Sequence, residues 1–218
     1  MPSSISWESG EPLKAHLTAA LRRGELVYDR VFDEVFPLQA RRASSVHWTP
    51  VEVAVRAAKL LTEGVTDPVV LDLGAGIGKF CTIAAATVTG TIRGVEHRKH
   101  FVEIARSAAA RLGVDVDFAH GTVDDHDLSA VNGVYLFNPF AENLAAREDC
   151  LDDTVELGQS VYRRDVAAAE RFLERAPSGT RVVIYCGWGG AMPPGYELVL
   201  RERKAGPLEL WRKTAPAG

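Results

Sequence analysis

Short apolar runs alternate with segments of helical periodicity along most of the chain. The runs with the length of buried strands are VVLDL, TIRGVE, VDVDFAH, GVYLFN and TRVVIYCGW, in that order. Between them, helical patterns predict helices from about Phe80 to Val88, from Arg98 to Leu112 and from Asp153 to Ala176. This alternation predicts an α/β fold with a mostly parallel, doubly wound sheet.

The C-terminal part of the chain has a different pattern. YELVLRER and LELWRK predict two strands, and Lys204-Ala205-Gly206-Pro207 between them is typical of a hairpin turn. With these two strands the predicted sheet has about seven strands, and its last strand is antiparallel. No internal repeat or low-complexity linker interrupts the pattern, so we predict one α/β domain with an N-terminal extension.

The N-terminal extension is predicted to be helical. Apolar residues with helical spacing indicate a helix from Leu13 to Leu26, and an arginine-rich stretch follows it. A further helix is predicted to begin at Thr49-Pro50, with Thr49 as its N-cap and Pro50 as its first residue. We therefore divide the chain into a helical extension or cap, residues 1–48, and a domain of residues 49–218.

Composition excludes several classes of protein. The formal net charge of the 218 residues is −4, and without a basic excess a DNA partner is not expected. Three cysteines without a C-x-x-C motif predict reduced thiols in a cytoplasmic protein. No apolar run approaches the ~18 residues that suggest a membrane span, and MPSSISWESGEP has no apolar signal core.

The run VLDLGAGIGK contains the strongest chemical signal. A buried strand turns through Gly74-Ala75-Gly76-Ile77-Gly78 into a helix, and glycines there permit positive φ and close approach of the backbone to a ligand. A dinucleotide fingerprint needs a glycine where Lys79 stands. The Asp72 carboxylate at the strand end would repel a pyrophosphate and attract an ammonium group. The loop therefore favours a cationic ligand over a dinucleotide.

A second acid follows at the end of the next predicted strand, where Glu96 closes IRGVE. A carboxylate in this position can accept hydrogen bonds from two ribose hydroxyls. Together with Asp72, it predicts a site for a cationic amino-acid head and a ribose. The alternative is a sheet whose turns simply require glycine, with both carboxylates in solvent.

LDLGAGIGKF, GVEHRKHFVEIA and YLFNPF, in this order, resemble the class I methyltransferases that use S-adenosylmethionine (SAM). The resemblance covers about Thr49 to Lys213 and implies a Rossmann-like fold. It also implies that the glycine loop lies against the methionine part of SAM, that Glu96 binds the ribose and that Gly121-Thr122-Val123 lies along the adenine. The family often has an acid where Thr122 stands. Two aspartates come just after Val123, so the side chain that meets the adenine amine is left open.

Asn138-Pro139-Phe140 ends the fourth predicted strand. The triplet resembles the N-P-P-Y/F motif of methyltransferases that act on planar nitrogen, namely the adenine-N6 DNA enzymes and the glutamine methyltransferases of release factors. By this resemblance, the Asn138 side chain and the Pro139 carbonyl accept hydrogen bonds from the target amine, and Phe140 stacks on it. This geometry would aim the nitrogen lone pair at the methyl group.

One proline of that motif is missing here, which shifts the aromatic ring by one residue. A fainter resemblance is to the non-SET histone lysine methyltransferases, whose fourth strand ends in an Asn-rich, Phe-containing loop. The other interpretation is local, with Asn138 capping a turn, Pro139 ending the strand and Phe140 packing in the core.

Three further segments have two interpretations each. In amino-methyltransferases with this motif order, a Thr-Pro pair before the glycine loop touches the methionine end of SAM, but Thr49-Pro50 also suits an ordinary helix cap. Arg41 and Arg42 are interpreted as a solvated patch or as contacts to an acidic acceptor. Gly187-Trp188-Gly189-Gly190 would line the acceptor pocket or form a tight turn with a packed tryptophan.

We therefore predict a SAM-dependent methyltransferase directed to nitrogen, whose acceptor is a protein side chain or a small metabolite. The alternatives are a non-catalytic SAM- or nucleotide-binding module and a nicotinamide-dependent oxidoreductase. The predicted catalytic residues are Asn138, Pro139 and Phe140. The predicted cofactor site comprises Asp72, Gly74, Ala75, Gly76, Gly78, Glu96, Thr122, Val123, Asn138 and Thr49. No metal site is predicted, because the consecutive acids of Asp124-Asp125-His126-Asp127 lack the spacing of metal ligands.

Overall fold

A computed structural model describes residues 10–146, 148 and 150–215, and for residues 10–15 and Ser45 it describes the backbone alone. Its strands are β1 Val69–Leu73, β2 Thr91–Glu96, β3 Asp117–His120, β4 Gly133–Phe137, β5 Arg181–Tyr185, β6 Tyr196–Glu202 and β7 Leu208–Lys213. Its α-helices are α1 Gly10–Arg22, α2 Asp29–Phe32, α3 Leu38–Arg42, α4 Ser44–His47, α5 Val51–Thr62, α6 Lys79–Thr87, α7 Lys99–Leu112 and α8 Gln159–Arg175. Short 3₁₀ helices span Asp33–Val35, Val123–Asp125 and Ala141–Leu144.

The strands form one seven-stranded sheet in the order β3-β2-β1-β4-β5-β7-β6. Strands β1 to β5 are parallel to one another, whereas β7 is antiparallel to both of its neighbours, β5 and β6. The predicted fold class is confirmed, including the closing hairpin. The strand order reverses between β1 and β4, and ligands of doubly wound sheets bind outside the carboxyl ends of the strands at such a point.

Helices cover both faces of the sheet. On one face α1, α5, α6 and α7 contribute to a large core, and on the other face α8 packs over β4 and β5. The central strands are accordingly buried along almost their whole length, which explains their unbroken apolar sequences. No helix in the described part of the chain is long and apolar enough to cross a lipid bilayer.

The N-terminal extension shares the core of the domain that follows it. Leu17, Leu21, Phe32 and Phe36 belong to the same buried cluster as the helices α5 to α7. The Thr18 hydroxyl donates a hydrogen bond of 2.9 Å to the carbonyl of Leu112 at the end of α7. The division between residues 48 and 49 stays a prediction from the sequence. Residues on both sides of it pack into the same hydrophobic core.

Two predicted helix starts are wrong. Helix α8 begins at Gln159 and not at Asp153, because the Asp152 carboxylate accepts hydrogen bonds from the Thr154 N–H and hydroxyl and fixes a turn there. Helix α5 begins at Val51, and Thr49 is not its cap. The Asp29 carboxylate accepts from the Val51 N–H at 3.0 Å and so replaces the predicted Thr49 cap.

Candidate functional site

The glycine loop connects β1 to α6 in a backbone conformation that glycine favours. Gly74, Gly76 and Gly78 have φ angles of 80°, 54° and 77°. The N–H groups of Gly74 and Ala75 both donate to the Val95 carbonyl at 3.0 Å, which fastens the loop to β2. The loop is thus held by the sheet through its own backbone.

The neighbours of the loop leave no room for side chains. A Cβ atom at Gly74 would lie 2.7 Å from Pro139, one at Gly76 would lie 2.5 Å from the Trp48 ring, and one at Gly78 would lie 2.6 Å from Phe118. Gly74 and Gly76 border the cavity described below, whereas Gly78 allows α6 to approach the sheet closely. The predicted need for glycine therefore has two physical causes.

Glu96 at the end of β2 completes this side of the site. It is buried, and its Oε2 accepts from the Gly76 N–H at 2.9 Å while its Oε1 accepts from the Arg98 N–H at 2.8 Å. Each carboxylate oxygen has a second lone pair, so both can still accept hydrogen bonds from a ligand. The arrangement suits a ribose diol.

A cavity of about 560 Å³ opens at the carboxyl ends of β1, β2 and β4. This volume lies within the range of roughly 300–1,000 Å³ that is typical of small-molecule sites. The N-terminal segment Val46–Trp48 forms one part of its wall, and residues between Ala141 and Leu157 form another. The cavity brings together most of the predicted site residues, namely Gly74, Gly76, Glu96, Thr122, Val123, Asn138, Pro139 and Phe140.

Four predicted cofactor residues do not line this cavity in the described part of the chain: Asp72, Ala75, Gly78 and Thr49. The Thr49 hydroxyl lies 3.0 Å from the Tyr135 hydroxyl, and the Tyr135 ring stacks on Phe80 at 3.9 Å. Thr49 therefore joins the start of α5 to β4 behind the cavity wall.

Asp72 lies in the interior, where the Cys81 thiol donates to its Oδ2 at 3.4 Å. Burial raises the pKa of Asp72 to about 7, and the Glu96 charge adds to this effect while the Cys81 hydrogen bond opposes it. The side chain thus supports α6 from within the core. Its contact with an ammonium group stays a prediction.

Asn138 has an unusual backbone conformation for a residue other than glycine, with a φ of 43°. Its N–H donates to the Gly187 carbonyl at 3.0 Å, which fixes the turn after β4. None of the described residues hydrogen-bonds to its side-chain amide, and the residue is exposed at the cavity wall. The amide is therefore available to a ligand.

Pro139 and Phe140 follow Asn138 along the wall. Pro139 packs against Gly74, so the turn after β4 and the glycine loop are in contact. Phe140 is buried with Trp188 and other residues of the α8 core, and its carbonyl accepts from Asn143. Phe140 therefore packs in the core and also borders the cavity, and both interpretations of its ring are compatible with this position.

Trp48 is a site residue that the sequence did not single out. Its ring lies over Gly76 and meets Phe101 edge to face at 5.7 Å, and its Nε1–H donates to the Ala40 carbonyl at 2.8 Å. The signal was present in the sequence as an aromatic residue directly before Thr49-Pro50.

Lys79 anchors the N-terminal extension at the first residue of α6. It is 2% exposed, and its Nζ lies 2.7 Å from carboxylate oxygens of both Asp29 and Asp33 and 3.1 Å from the Ser44 hydroxyl. Lys79 stands where a dinucleotide fingerprint has glycine, and in this structure it holds the N-terminal extension against α6.

Arg98 is a second buried cation that anchors a segment of the cavity wall. It is 3% exposed, and it forms ion pairs with Glu142 at 2.9 Å and Asp152 at 3.1 Å. Its guanidinium also lies over the Phe101 ring. Arg98 therefore ties the segment after β4 to the end of β2.

The structure also describes Arg41, Arg42 and Gly187–Gly190, segments for which the sequence allowed two interpretations. Arg41 donates to the carbonyls of Phe36 and Glu34, and Arg42 is exposed. Gly187–Gly190 lines a second cavity of about 650 Å³ on the α8 face, and Trp188 is buried in the core there. The interpretation of a turn with a packed tryptophan agrees with this geometry.

Residues 70–155 match a family model described as a methyltransferase domain. No curated relative matches the chain. A solved RNA methyltransferase from Salinibacter ruber in complex with S-adenosyl-L-homocysteine is 22% identical, with a TM-score of 0.57 over 78% of this chain and 95% of that one. A putative O-methyltransferase from Klebsiella pneumoniae is 14% identical, with a TM-score of 0.58 over 95% of this chain and 100% of that one.

These structural similarities show the class I methyltransferase fold. The glycine loop, Glu96 and Asn138 lie within residues 70–155, the segment that is similar to a methyltransferase domain. SAM is the cofactor of such a domain. The residues present fit it, because Gly74 and Gly76 expose backbone at the cavity wall and the Glu96 carboxylate beside them can accept further hydrogen bonds from a ribose.

Proposed function

We propose that this protein transfers the methyl group of SAM to a nitrogen atom of a protein side chain or a small metabolite. Asn138 is the observation that carries the nitrogen assignment. Its backbone is held in a left-handed conformation, and its amide lies at the cavity wall without a hydrogen-bond partner among the described residues. Such strain at a binding site is compatible with a positioning role.

The cofactor would be held by groups that line the cavity. Glu96 would accept hydrogen bonds from the ribose hydroxyls, the glycine loop would lie against the methionine part, and Thr122 and Val123 would lie along the adenine. The wall formed by Val46–Trp48 would cover the bound molecule and exclude water from it.

SAM, when bound, supplies an electrophilic methyl group on a sulfonium centre. Asn138 Oδ1 and the Pro139 carbonyl would accept the two N–H groups of the acceptor, so that its lone pair points at the methyl carbon. A nitrogen–carbon bond forms as the sulfur–carbon bond breaks, the electron pair remains on sulfur, and the acceptor releases a proton to water. Positioning supplies much of the rate acceleration in a reaction of this type.

The net charge and the exposure of Asn138 support the proposed acceptor class. A net charge of −4 disfavours a DNA backbone, and the exposed position of Asn138 admits a small molecule or a protruding side chain. We also propose a cytoplasmic location, since three free cysteines suit a reducing compartment.

The test is methyl transfer from tritiated SAM to fractionated lysate protein and to metabolite pools, with wild type and Asn138→Gly compared. Glycine accepts the positive φ of this position, so the variant loses the amide without new backbone strain. We expect it to bind S-adenosylhomocysteine normally and to transfer methyl groups about 100-fold more slowly. The matched control is Asp67→Gly, which replaces an exposed residue with a φ of 47° far from the cavity.

Transfer by Asn138→Gly at the wild-type rate would refute the role of this residue. Methylation of oxygen or carbon in the product would contradict the nitrogen assignment. If wild type binds the cofactor and labels no fraction, the alternative of a non-catalytic SAM-binding module is favoured.

A further inference from the structure

The two carboxylates that follow the turn after β3 are both engaged away from the cavity. Asp125 Oδ2 accepts from the N–H and the hydroxyl of Thr122 at 2.7 and 2.8 Å. Asp124 pairs with Arg171 at 3.0 Å, and about half of each side chain is exposed. In the described part of the chain neither aspartate lines the cavity, so neither is placed to contact a bound adenine.

A third carboxylate does lie on the cavity wall. Asp165 is in the second turn of α8, is 8% exposed, and lines the cavity together with Val123 and Ala168. Its Oδ1 accepts from the Arg164 Nε at 2.8 Å, whereas no described residue donates to its Oδ2. A carboxylate that is this well buried normally has its lone pairs satisfied. Asp165 thus retains hydrogen-bonding capacity at the cavity.

We propose that Asp165 recognises the exocyclic amine of the adenine ring of SAM. The proposal rests on the proposed function, in which the turn at Thr122 and Val123 lies along the adenine. Asp165 borders the cavity with Val123, and an ionised carboxylate can only accept hydrogen bonds, which matches the two N–H donors of the amine.

The same chemistry predicts what the site rejects. Replacement of the adenine amine by oxygen, as in a hypoxanthine ring, would place an acceptor against the acceptor Asp165. A site built around a buried polar group discriminates strongly against ligands that leave this group unpaired. A hydrogen bond to a charged group corresponds to about a tenfold difference in affinity or more.

The experiment compares two ligands by isothermal titration calorimetry: S-adenosylhomocysteine and its deaminated analogue S-inosylhomocysteine. Wild type is expected to prefer the adenosyl compound by about tenfold or more. Asp165→Asn is expected to lose most of this preference, because a carboxamide can donate to the oxygen as well as accept from the amine. In the analogue, ring nitrogen N1 also carries a hydrogen. The effect of this change on affinity cancels when the affinity ratio of the two ligands in wild type is compared with the ratio in Asp165→Asn.

Asp124→Asn is the matched control and should keep the wild-type preference, since its carboxylate pairs with Arg171 at the surface. Asp165→Asn should fold normally, because its only ion-pair partner among the described residues, Arg164, has a largely exposed side chain. The melting temperature of the variant checks this. An unchanged preference in Asp165→Asn would overturn the adenine assignment and leave the cofactor proposal intact. Failure of wild type to bind S-adenosylhomocysteine would overturn both.

Discussion

The two sides of the cofactor cavity are held together by different kinds of contact. The loop wall, Gly74–Gly78 with Glu96, is fastened by backbone N–H groups that donate to the Val95 carbonyl and to the Glu96 carboxylate. The cap wall consists of Val46–Trp48 together with Ala141, Glu142, Asn143, Ala145, Leu151 and Leu157. It is fastened through the buried cations Lys79 and Arg98.

The parallel sheet determines the position of the loop wall, but it does not determine the position of the cap wall. Any chain that forms β1 and β2 in register brings the glycine loop to Glu96, so the loop wall follows from the core fold. The cap wall depends on ion pairs between elements that are remote along the chain, and buried ion pairs are costly when one partner is lost. We therefore expect the cap wall to be the more easily loosened of the two.

The largest expected effect is on the loop wall. Glu96→Ala should weaken binding of S-adenosylhomocysteine about a thousandfold, or ~4 kcal/mol, because two ribose hydrogen bonds to a charged acceptor are lost. Calorimetric titration measures this loss. Glu103→Ala, an exposed residue of α7, should bind as wild type does. An unchanged affinity of Glu96→Ala would refute the ribose assignment.

The next effect is on the cap wall. Lys79→Met should lower the free energy of unfolding by about 3 kcal/mol, since the buried Asp33 carboxylate loses its cation. Urea denaturation provides the measurement. In the control Lys204→Met, the lysine is 88% exposed and pairs with Glu52, so little change is expected. If the two variants were equally stable, Lys79 would not anchor the extension.

A pH effect of about 2.5 kcal/mol is expected behind the loop wall, at Asp72. The folded pKa of this carboxyl is raised to about 7 from its ordinary value of 3.8. The folded state therefore binds the extra proton between these values, and the stability that Asp72 contributes falls as the pH rises through about 7.

Denaturation of wild type and Asp72→Asn at pH 5 and pH 8 isolates this contribution. Asparagine mimics the protonated acid, so the variant should be favoured relative to wild type at pH 8 and lose that advantage at pH 5. A stability difference that does not change with pH would show that Asp72 is ionised in the folded protein throughout this range.

The smallest effect concerns the contact between the two walls. Gly76→Ala and Gly113→Ala both place alanine at positive φ, 54° and 62°, but an alanine at residue 76 would also collide with Trp48, whereas residue 113 has open space. Gly76→Ala should be the less stable by about 1–2 kcal/mol. Equal melting temperatures would mean that the Trp48 ring yields without cost.

The loop wall was predictable from the sequence and the cap wall was not. Buried strands, glycine spacing and a terminal Glu96 are local signals whose meeting point the parallel sheet determines. The capping of α5 by Asp29, in place of Thr49, depends on how an irregular stretch returns to the domain. Asp165 lies within a helix and carries no motif, so the topology alone brings it to the cavity.

The position of Trp48 has an optical consequence. Its indole lies on the cavity wall, covers Gly76 and donates its N–H to the Ala40 carbonyl. A nucleoside that enters the cavity changes the polarity around this ring, whereas Trp188 and Trp211 border the other cavity. We therefore expect the fluorescence emission of Trp48 to change when the cofactor enters the cavity.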